Sequence, residues 1–232
     1  MISEEISLIL PTKNHEKIII NNINSVIKYL KNNFSNFEIL IISNDSEKEN
    51  IDLIKEYDSL QINHLVYQKS GKGFAVREGI KNSTFKNVVI CDADFSVSVE
   101  CLSDFFSKGK PISGFVVGSR KLRDSQTIST PLIRKISGGI FTFLTKYYLK
   151  VKITDTQCGF KLIDKSIFIN CDKYLSDDFY FDVELFLLAK KDEVKVTEVP
   201  VQYVHNNRSS VNLFSDSLRM LFKLLNYKYK HR

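Results

Sequence analysis

The chain of 232 residues contains no tryptophan, only four prolines and only nine glycines, and no stretch has the proline, glycine and serine content of a linker. No run of about 18 apolar residues occurs, and the N-terminus does not resemble a secretory signal. The sequence therefore predicts no membrane-spanning helix. It favours a cytoplasmic protein, or one bound peripherally to the cytoplasmic face of a membrane.

Cysteine and histidine are also scarce, with four residues of each. The cysteines are too irregularly spaced for a CxxC metal knuckle, and the histidines show no ligand spacing. Without a secretory context, the thiols are expected to be reduced. These patterns argue against structural zinc.

The chain is moderately basic, because its 33 lysines and arginines outnumber its 27 aspartates and glutamates and give a formal net charge of +6. Such an excess suits an anionic partner, which could be nucleic acid, acidic lipid or a phosphorylated substrate. Much of it lies in Arg120–Lys135, Lys146–Lys161 and Arg219–Arg232, beside apolar residues. No RNA- or DNA-binding motif is present, so nucleic acid is not expected as a partner.

The first half alternates short apolar runs with helical stripes, a pattern typical of a parallel sheet covered by helices. We therefore expect an α/β fold with a mostly parallel, Rossmann-like sheet and helices on both faces. The expected strands are 6–10, 37–42, 62–67, 88–91 and 114–117, and the expected helices are 16–33, 47–57 and 73–81.

The second half is less regular, with a helix expected at 179–190 and a strand at 195–199. Segments 134–151 and 213–232 each combine an apolar stripe with lysines or arginines, as helices at a membrane surface do. Alternatively, both stripes pack on the core or in a homodimer. The predicted organisation is one domain, 1–210, followed by an amphipathic basic helix, 211–232.

Two carboxylates, Asp92 and Asp94, follow the predicted strand 88–91. They would project at the carboxyl end of the sheet, where open α/β sheets bind ligands. Such a pair can hold Mg²⁺ or Mn²⁺, which in turn bridges diphosphate oxygens. The alternative is a solvated turn.

Gly71, Lys72 and Gly73 precede a predicted helix that also carries Arg77. Glycines at a helix start let backbone N–H groups approach an anion, and the two cationic side chains would add charge near a diphosphate. A simple turn into the helix would have the same composition.

A third group combines Arg120, Arg134 and Ser137 with the segment 155–161, which includes Asp155 and Gln157. Two arginines with hydroxyl groups could hold a second phosphate, and a basic solvated loop is the alternative. Asp182 lies within an apolar helical segment, where an acid is costly unless it is paired or functional.

Together these segments resemble family 2 glycosyltransferases, and among them the dolichyl-phosphate glucose and mannose synthases. The matching segments are LPTKNHE (Leu10–Glu16), SGKGFAVREG (Ser70–Gly79), DADFS (Asp92–Ser96), VVGSR (Val116–Arg120), DTQCGFKL (Asp155–Leu162), FDVEL (Phe181–Leu185) and EVPVQY (Glu198–Tyr203).

The resemblance implies a GT-A fold, a nucleotide diphosphate sugar donor and a lipid-linked phosphate acceptor. The residues expected to hold the donor and its metal are Pro11, Thr12, Glu16, Asn44, Gly71, Lys72, Arg77, Asp92, Ala93 and Asp94. The residues expected to bind the acceptor are Arg120, Arg134, Ser137, Asp155, Gln157 and Asp182. Asn44 stands where the family usually has an acid, and His15 where it often has a glutamate.

The expected reaction is an inverting, metal-dependent transfer of a hexose, glucose or mannose, to a polyprenyl or dolichyl phosphate. The catalytic residues would be Asp92, Asp94, Lys72 and Asp182. A phosphate acceptor is already ionised at neutral pH, whereas a hydroxyl acceptor would need Asp182 or Asp155 as its base. Such a family 2 enzyme, acting on a sugar hydroxyl in capsule or lipopolysaccharide assembly, is the alternative enzyme. An inactive basic binding module is the non-enzymatic alternative.

Overall fold

A computed structural model of the chain describes residues 2–55, 57, 61–128, 152–168 and 176–204. Several predicted features lie outside these described residues: Arg134, Ser137, the helix at 134–151 and the basic appendage at 211–232. Among the residues that the structure does describe, no helix is both long and apolar enough to cross a bilayer.

The first half alternates strands and helices as predicted, and its two leading strands are longer than the apolar runs indicated. Its elements are β1 Ile2–Thr12, α1 Glu16–Asn33, β2 Phe34–Asn44, α2 Lys48–Lys55, β3 Ile62–Tyr67, α3 Lys72–Asn82 and β4 Asn87–Ile90. Polar residues stand near the start of both strands, at 3–5 and 35–36, and the buried polar residues Thr12, Ser43 and Asn44 end them, so the apolar pattern identified only the central part of each strand.

The second half begins with a 3₁₀ helix, Val99–Phe105. The elements after it are β5 Phe106–Ser107, β6 Lys110–Pro111, β7 Phe115–Ser119, β8 Gln126–Ile128, β9 Lys161–Asp164, α4 Lys165–Phe168, α5 Phe181–Lys191, β10 Val196–Pro200 and β11 Gln202–Val204. The predicted strands near 114–117 and 195–199 and the helix near 179–190 are confirmed as β7, β10 and α5.

The main sheet has seven strands in the order β10-β7-β9-β4-β1-β2-β3. All neighbouring strands are parallel except β9, which runs antiparallel to both β4 and β7. The expected mostly parallel sheet is therefore confirmed. The sequence did not predict β9, because lysine and aspartate begin and end its four residues and break the apolar run.

Helices cover both faces of the sheet, as predicted. One face packs against α1, α2 and the 3₁₀ helix, and the other packs against α3 and α5. Side chains alternate along β1, so that Leu8 and Leu10 face α1 while Ile9 faces α3. The strands β1, β2, β4 and β7 point the same way and end at one edge, which is where the polar residues described below converge.

Candidate active site

The acidic pair lies directly after β4, at the carboxyl edge of the sheet. Ala93 is buried between the two acids. The backbone N–H of Ser96 donates a 2.9 Å hydrogen bond to the Asp94 carboxylate, and Phe95 N–H donates to the Asp92 carbonyl at 3.0 Å. These bonds fix the Asp94 carboxylate and the backbone of Asp92 beside the middle of the sheet.

Lys72, the first residue of α3, places its ammonium nitrogen 2.5 Å from a carboxylate oxygen of Asp92. Burial alone would lower the pKa of Lys72, but the charges of Asp92 and Asp182 outweigh it and raise that pKa above its usual value. Burial would conversely raise the pKa of Asp92, yet Lys72, assisted by Lys161, lowers it. Both groups are therefore charged at neutral pH.

Gly159 packs directly against Asp92. A Cβ atom at this position would lie 1.9 Å from a carboxylate oxygen of Asp92, so only glycine leaves room for the acid where the structure has it. The sequence offered Gly159 as one member of the segment 155–161, with no sign of this separate contact.

The acidic pair fits a hard divalent cation. Mg²⁺ is commonly bound through one or two carboxylates while substrate phosphates supply further oxygens. Among the described residues, no three histidine, cysteine, aspartate or glutamate side chains are grouped as a metal cage. Asp92 and Asp94 therefore offer the kind of partial ligand set that a diphosphate would complete.

Asp182, in the first turn of α5, forms a buried ion pair. One of its carboxylate oxygens lies 2.7 Å from the ammonium nitrogen of Lys161, and the two side chains are 3% and 1% exposed. Lys161 also donates a 2.5 Å hydrogen bond to the carbonyl of Cys158. Asp182 is thus tied to a cation within the core, and its charge also acts on Lys72.

Asp155 and Arg120 form a second, bidentate pair. Nε and Nη2 of Arg120 lie 2.7 and 2.8 Å from the two carboxylate oxygens, and Arg120 N–H donates to the same carboxylate at 3.1 Å. Burial would raise the pKa of Asp155, but Arg120 outweighs it and lowers that pKa to about 2. The guanidinium also lies 5.2 Å from the ring centre of Tyr203.

Glu198, in β10, holds the backbone that carries Asp155. Its carboxylate accepts hydrogen bonds from the Thr154 hydroxyl at 2.5 Å, Thr154 N–H at 2.9 Å and Asp155 N–H at 3.0 Å. The Thr154 hydroxyl also lies 2.9 Å from the hydroxyl of Ser119, within hydrogen-bond distance. Sequence reasoning included Glu198 in the motif EVPVQY but assigned it no role.

The predicted nucleotide residues Pro11, Thr12 and Glu16 are all buried around the end of β1. One oxygen of Glu16 accepts a 2.8 Å hydrogen bond from Ser43, whose hydroxyl is 2.9 Å from Nε2 of His64. The other oxygen of Glu16 has no hydrogen-bond partner among the described residues. Burial lowers the pKa of His64.

The glycine-rich segment before α3 packs against protein backbone. A Cβ atom would lie 2.2 Å from the Asp177 carbonyl oxygen at Gly71 and 2.0 Å from the Ser176 carbonyl oxygen at Gly73. Gly71 also has a φ of +125°, which favours glycine. Asn44 donates a 3.0 Å hydrogen bond to the Gly71 carbonyl and so ties β2 to this turn.

Arg77 also contacts the segment that contains Ser176 and Asp177. Its Nη2 lies 2.6 Å from one oxygen of Asp177, and Lys69 lies 2.7 Å from the other oxygen. Sequence reasoning expected Arg77 beside the diphosphate and did not identify Asp177, which is 100 residues away in the chain.

The structure thus brings several predicted residues into one charged cluster, consisting of Lys72, Asp92, Asp94, Asp182 and Arg120, whose charges act on one another. Gln157 lies next to this cluster, and its backbone N–H donates a hydrogen bond to the Asp155 carboxylate at 3.3 Å. Its side-chain nitrogen is buried without a hydrogen-bond partner among the described residues.

Several known proteins are similar to this chain in sequence or in fold. The chain is 28% identical over 240 residues to the dolichyl-phosphate beta-glucosyltransferase of Saccharomyces cerevisiae, covering 93% of this chain and 71% of the relative. The fold matches mannosyl-3-phosphoglycerate synthase from Rubrobacter xylanophilus with a TM-score of 0.72 at 15% identity, covering 98% of this chain and 75% of the other.

A second solved structure is glucosyl-3-phosphoglycerate synthase from Mycobacterium tuberculosis in complex with Mn²⁺, UDP-glucose and phosphoglyceric acid. It matches with a TM-score of 0.67 at 15% identity, covering 97% of this chain and 80% of the other. The expected GT-A fold is confirmed. The family model "Glycosyl transferase family 2" matches residues 7–171, and the chain therefore belongs to glycosyl transferase family 2.

Proposed function

We propose that this protein transfers a hexose, glucose in the first instance, from a nucleotide diphosphate sugar to dolichyl phosphate or a related polyprenyl phosphate. Family membership supports the glycosyl transfer. The name of the yeast relative supports glucose and dolichyl phosphate, and the complex of the mycobacterial neighbour supports UDP-glucose with Mn²⁺.

The observation that carries the proposal is the pairing of both candidate bases. Asp182 is bound to Lys161 inside the core, and Asp155 is bound bidentately to Arg120 with a pKa of about 2. A carboxylate held in this way is a poor proton acceptor, whereas an attacking hydroxyl needs a base. A phosphate monoester has its second pKa at about 6 and arrives ionised. The pairing therefore favours a phosphate acceptor over a sugar hydroxyl.

The charge balance of the site favours a metal requirement. Lys72, Lys161 and Arg120 each face a carboxylate at 2.7 Å or less, so their charges are already matched before any substrate arrives. A divalent cation at Asp92 and Asp94 would supply positive charge for the departing diphosphate. Lys72, which lies on Asp92, can stabilise the same negative charge as it develops.

We further propose that the transfer inverts the anomeric centre. A phosphate oxygen that attacks opposite the leaving diphosphate, in a single displacement, reverses the configuration. With an α-linked sugar nucleotide the product would be a β-linked glycosyl phosphate, in line with the word "beta" in the name of the yeast relative.

Because a polyprenyl chain resides in a bilayer, the acceptor phosphate would be met at a membrane surface, here proposed as the cytoplasmic face. The basic amphipathic segments at 134–151 and 213–232 are the proposed contacts. Flotation with anionic liposomes tests this proposal. Binding that survives deletion of 213–232 would move the contact elsewhere, and no flotation of the intact chain would refute it.

The transfer itself is tested with labelled UDP-glucose, dolichyl phosphate and Mn²⁺, by measuring label that becomes extractable into organic solvent. GDP-mannose is the parallel donor. We expect glucosyl lipid from the parent protein, and at least about a hundredfold less from Asp92→Asn or Asp94→Asn, since each removes a metal ligand. Full turnover by both variants, or by the parent protein in chelator, would refute the metal role.

A further inference from the structure

The ammonium group of Lys72 has a precise position, although lysine side chains are flexible and rich in rotamers. It lies 2.5 Å from Asp92, and its side chain is 16% exposed. Electrostatic help to a leaving group depends on such preorganisation. The parts of the fold that hold Lys72 therefore bear on the reaction that we propose.

The first restraint acts on the backbone. Lys72 lies between Gly71 and Gly73, and the carbonyl groups of Asp177 and Ser176 occupy the space that Cβ atoms would fill at these glycines. Phe74 N–H, in the first turn of α3, donates a 3.1 Å hydrogen bond to the Asp177 carbonyl. The start of α3 is thus held directly under the segment 176–178.

The second restraint is ionic and comes from the same residue. The two carboxylate oxygens of Asp177 bind Arg77 at 2.6 Å and Lys69 at 2.7 Å. Arg77 belongs to α3, and Lys69 precedes the glycine-rich turn. The Asp177 carboxylate therefore binds one residue before Lys72 in the sequence and one residue after it.

The third restraint acts on the ammonium group. The rings of Phe179 and Phe181, which directly follow this segment, each have their centre 5.9 Å from the Lys72 nitrogen. Aromatic faces at this range attract a cation weakly. The segment that restrains the backbone of Lys72 thus also flanks its charged end.

We propose that Asp177 is a positioning residue for the transfer reaction, which acts through α3 and its preceding turn to hold the Lys72 ammonium on the Asp92 carboxylate. This inference rests on the proposed function, since it assigns Lys72 to the leaving diphosphate. Asp177 itself contacts Arg77 and Lys69 rather than the reacting atoms.

A positioning role is separable from a purely structural one. The ion pair of Asp177 with Lys69 is exposed on both sides, at 42% and 53%, and such pairs contribute little to folding stability. Asparagine at position 177 can still accept a hydrogen bond from the less exposed Arg77. Replacing Asp177 should therefore leave the fold intact while loosening Lys72. Because the negative charge on the diphosphate grows as the sugar departs, a misplaced Lys72 should lower kcat more than it raises the KM for the donor.

The variant is Asp177→Asn, with Asp177→Glu as the conservative rescue. The matched control is Asp52→Asn, which removes an exposed 3.1 Å ion pair with Lys55 within α2. Lys72 acylation by an amine-reactive ester, measured by mass spectrometry relative to the exposed Lys48, reports the position of Lys72 without any substrate. Turnover of UDP-glucose with dolichyl phosphate reports the consequence.

In Asp177→Asn we expect the ester to acylate Lys72 severalfold faster and kcat to fall about tenfold. Asp177→Glu should restore the parent values of both quantities, and Asp52→Asn should leave both unchanged. Unchanged acylation of Lys72 in Asp177→Asn overturns the inference, as does faster acylation with unchanged kcat. If Lys72 becomes reactive but the parent protein shows no glycosyl transfer, the positioning of Lys72 by Asp177 stands and the proposed function fails.

Discussion

The ammonium of Lys161 lies 2.7 Å from the carboxylate of Asp182, and both side chains are almost completely buried. Lys161 comes from β9 and Asp182 from the first turn of α5, so the pair joins the middle of the sheet to the helix that covers it. Separating two such charges in the core is costly, because each would be left without a counter-ion. The pair therefore keeps the Asp182 carboxylate in contact with a cation.

The first prediction concerns this pair. Lys161→Met leaves Asp182 buried and unpaired, and should lower the free energy of unfolding by about 3 to 5 kcal/mol. Lys161→Met combined with Asp182→Leu removes both charges and should recover much of the loss. Urea denaturation measures both variants. If Lys161→Met is as stable as the parent protein, the ion pair of Lys161 with Asp182 does not form in solution.

The second prediction concerns pH. The pKa of Asp155 is about 2 in the folded protein and about 3.9 in an unfolded chain. The stabilisation from its ionised form is therefore present above about pH 4 and is lost as the pH falls towards 2. The stability gap between the parent protein and Asp155→Asn should shrink across that window. A constant gap between pH 6 and 3 in urea denaturation would contradict the assignment.

The third prediction concerns Gly159. In Gly159→Ala the added Cβ meets the Asp92 carboxylate, which is 39% exposed and can move away. The fold should persist while glycosyl transfer falls by about a hundredfold, because Asp92 leaves its position. Gly114→Ala, directly before β7, is the control, since the atom nearest to its added Cβ is the terminal Cδ1 of the Ile167 side chain. Equal activity of the two variants would contradict this reading.

The fourth prediction concerns Glu198, which fixes the backbone of Thr154 and Asp155, and through Asp155 the guanidinium of Arg120. If Arg120 holds the acceptor phosphate, Glu198→Gln should raise the KM for dolichyl phosphate by about tenfold and leave the KM for UDP-glucose nearly unchanged. Steady-state kinetics with each substrate varied in turn measures both constants. A rise confined to the UDP-glucose KM would place Arg120 on the donor side.

Much of the fold could be predicted, because alternating apolar runs and helical stripes are local signals. The acids Asp92 and Asp94 were found in the same way, since they directly follow a strand. Strand β9 was not predicted, because Lys161 resembles a surface residue until its partner Asp182, 21 positions later, is known.

The remaining site residues depend on contacts that the sequence does not encode locally. Asp177 meets Arg77 across 100 positions, and Glu198 meets Asp155 across 43. The glycines before α3 were predicted to let an anion approach the backbone, and that role stays a prediction. Their neighbour in the structure is the backbone of Ser176 and Asp177, which only the tertiary fold brings there.

The preference for an anionic acceptor is tested most directly by offering the purified protein, UDP-glucose and Mn²⁺ either dolichyl phosphate or dolichol. The two lipids differ only in the phosphate. Since both candidate bases are paired, transfer to dolichyl phosphate should exceed transfer to the free alcohol by at least about a hundredfold. Comparable transfer to dolichol, or to a soluble sugar hydroxyl, would contradict the proposal and would mean that Asp182 or Asp155 accepts a proton after all.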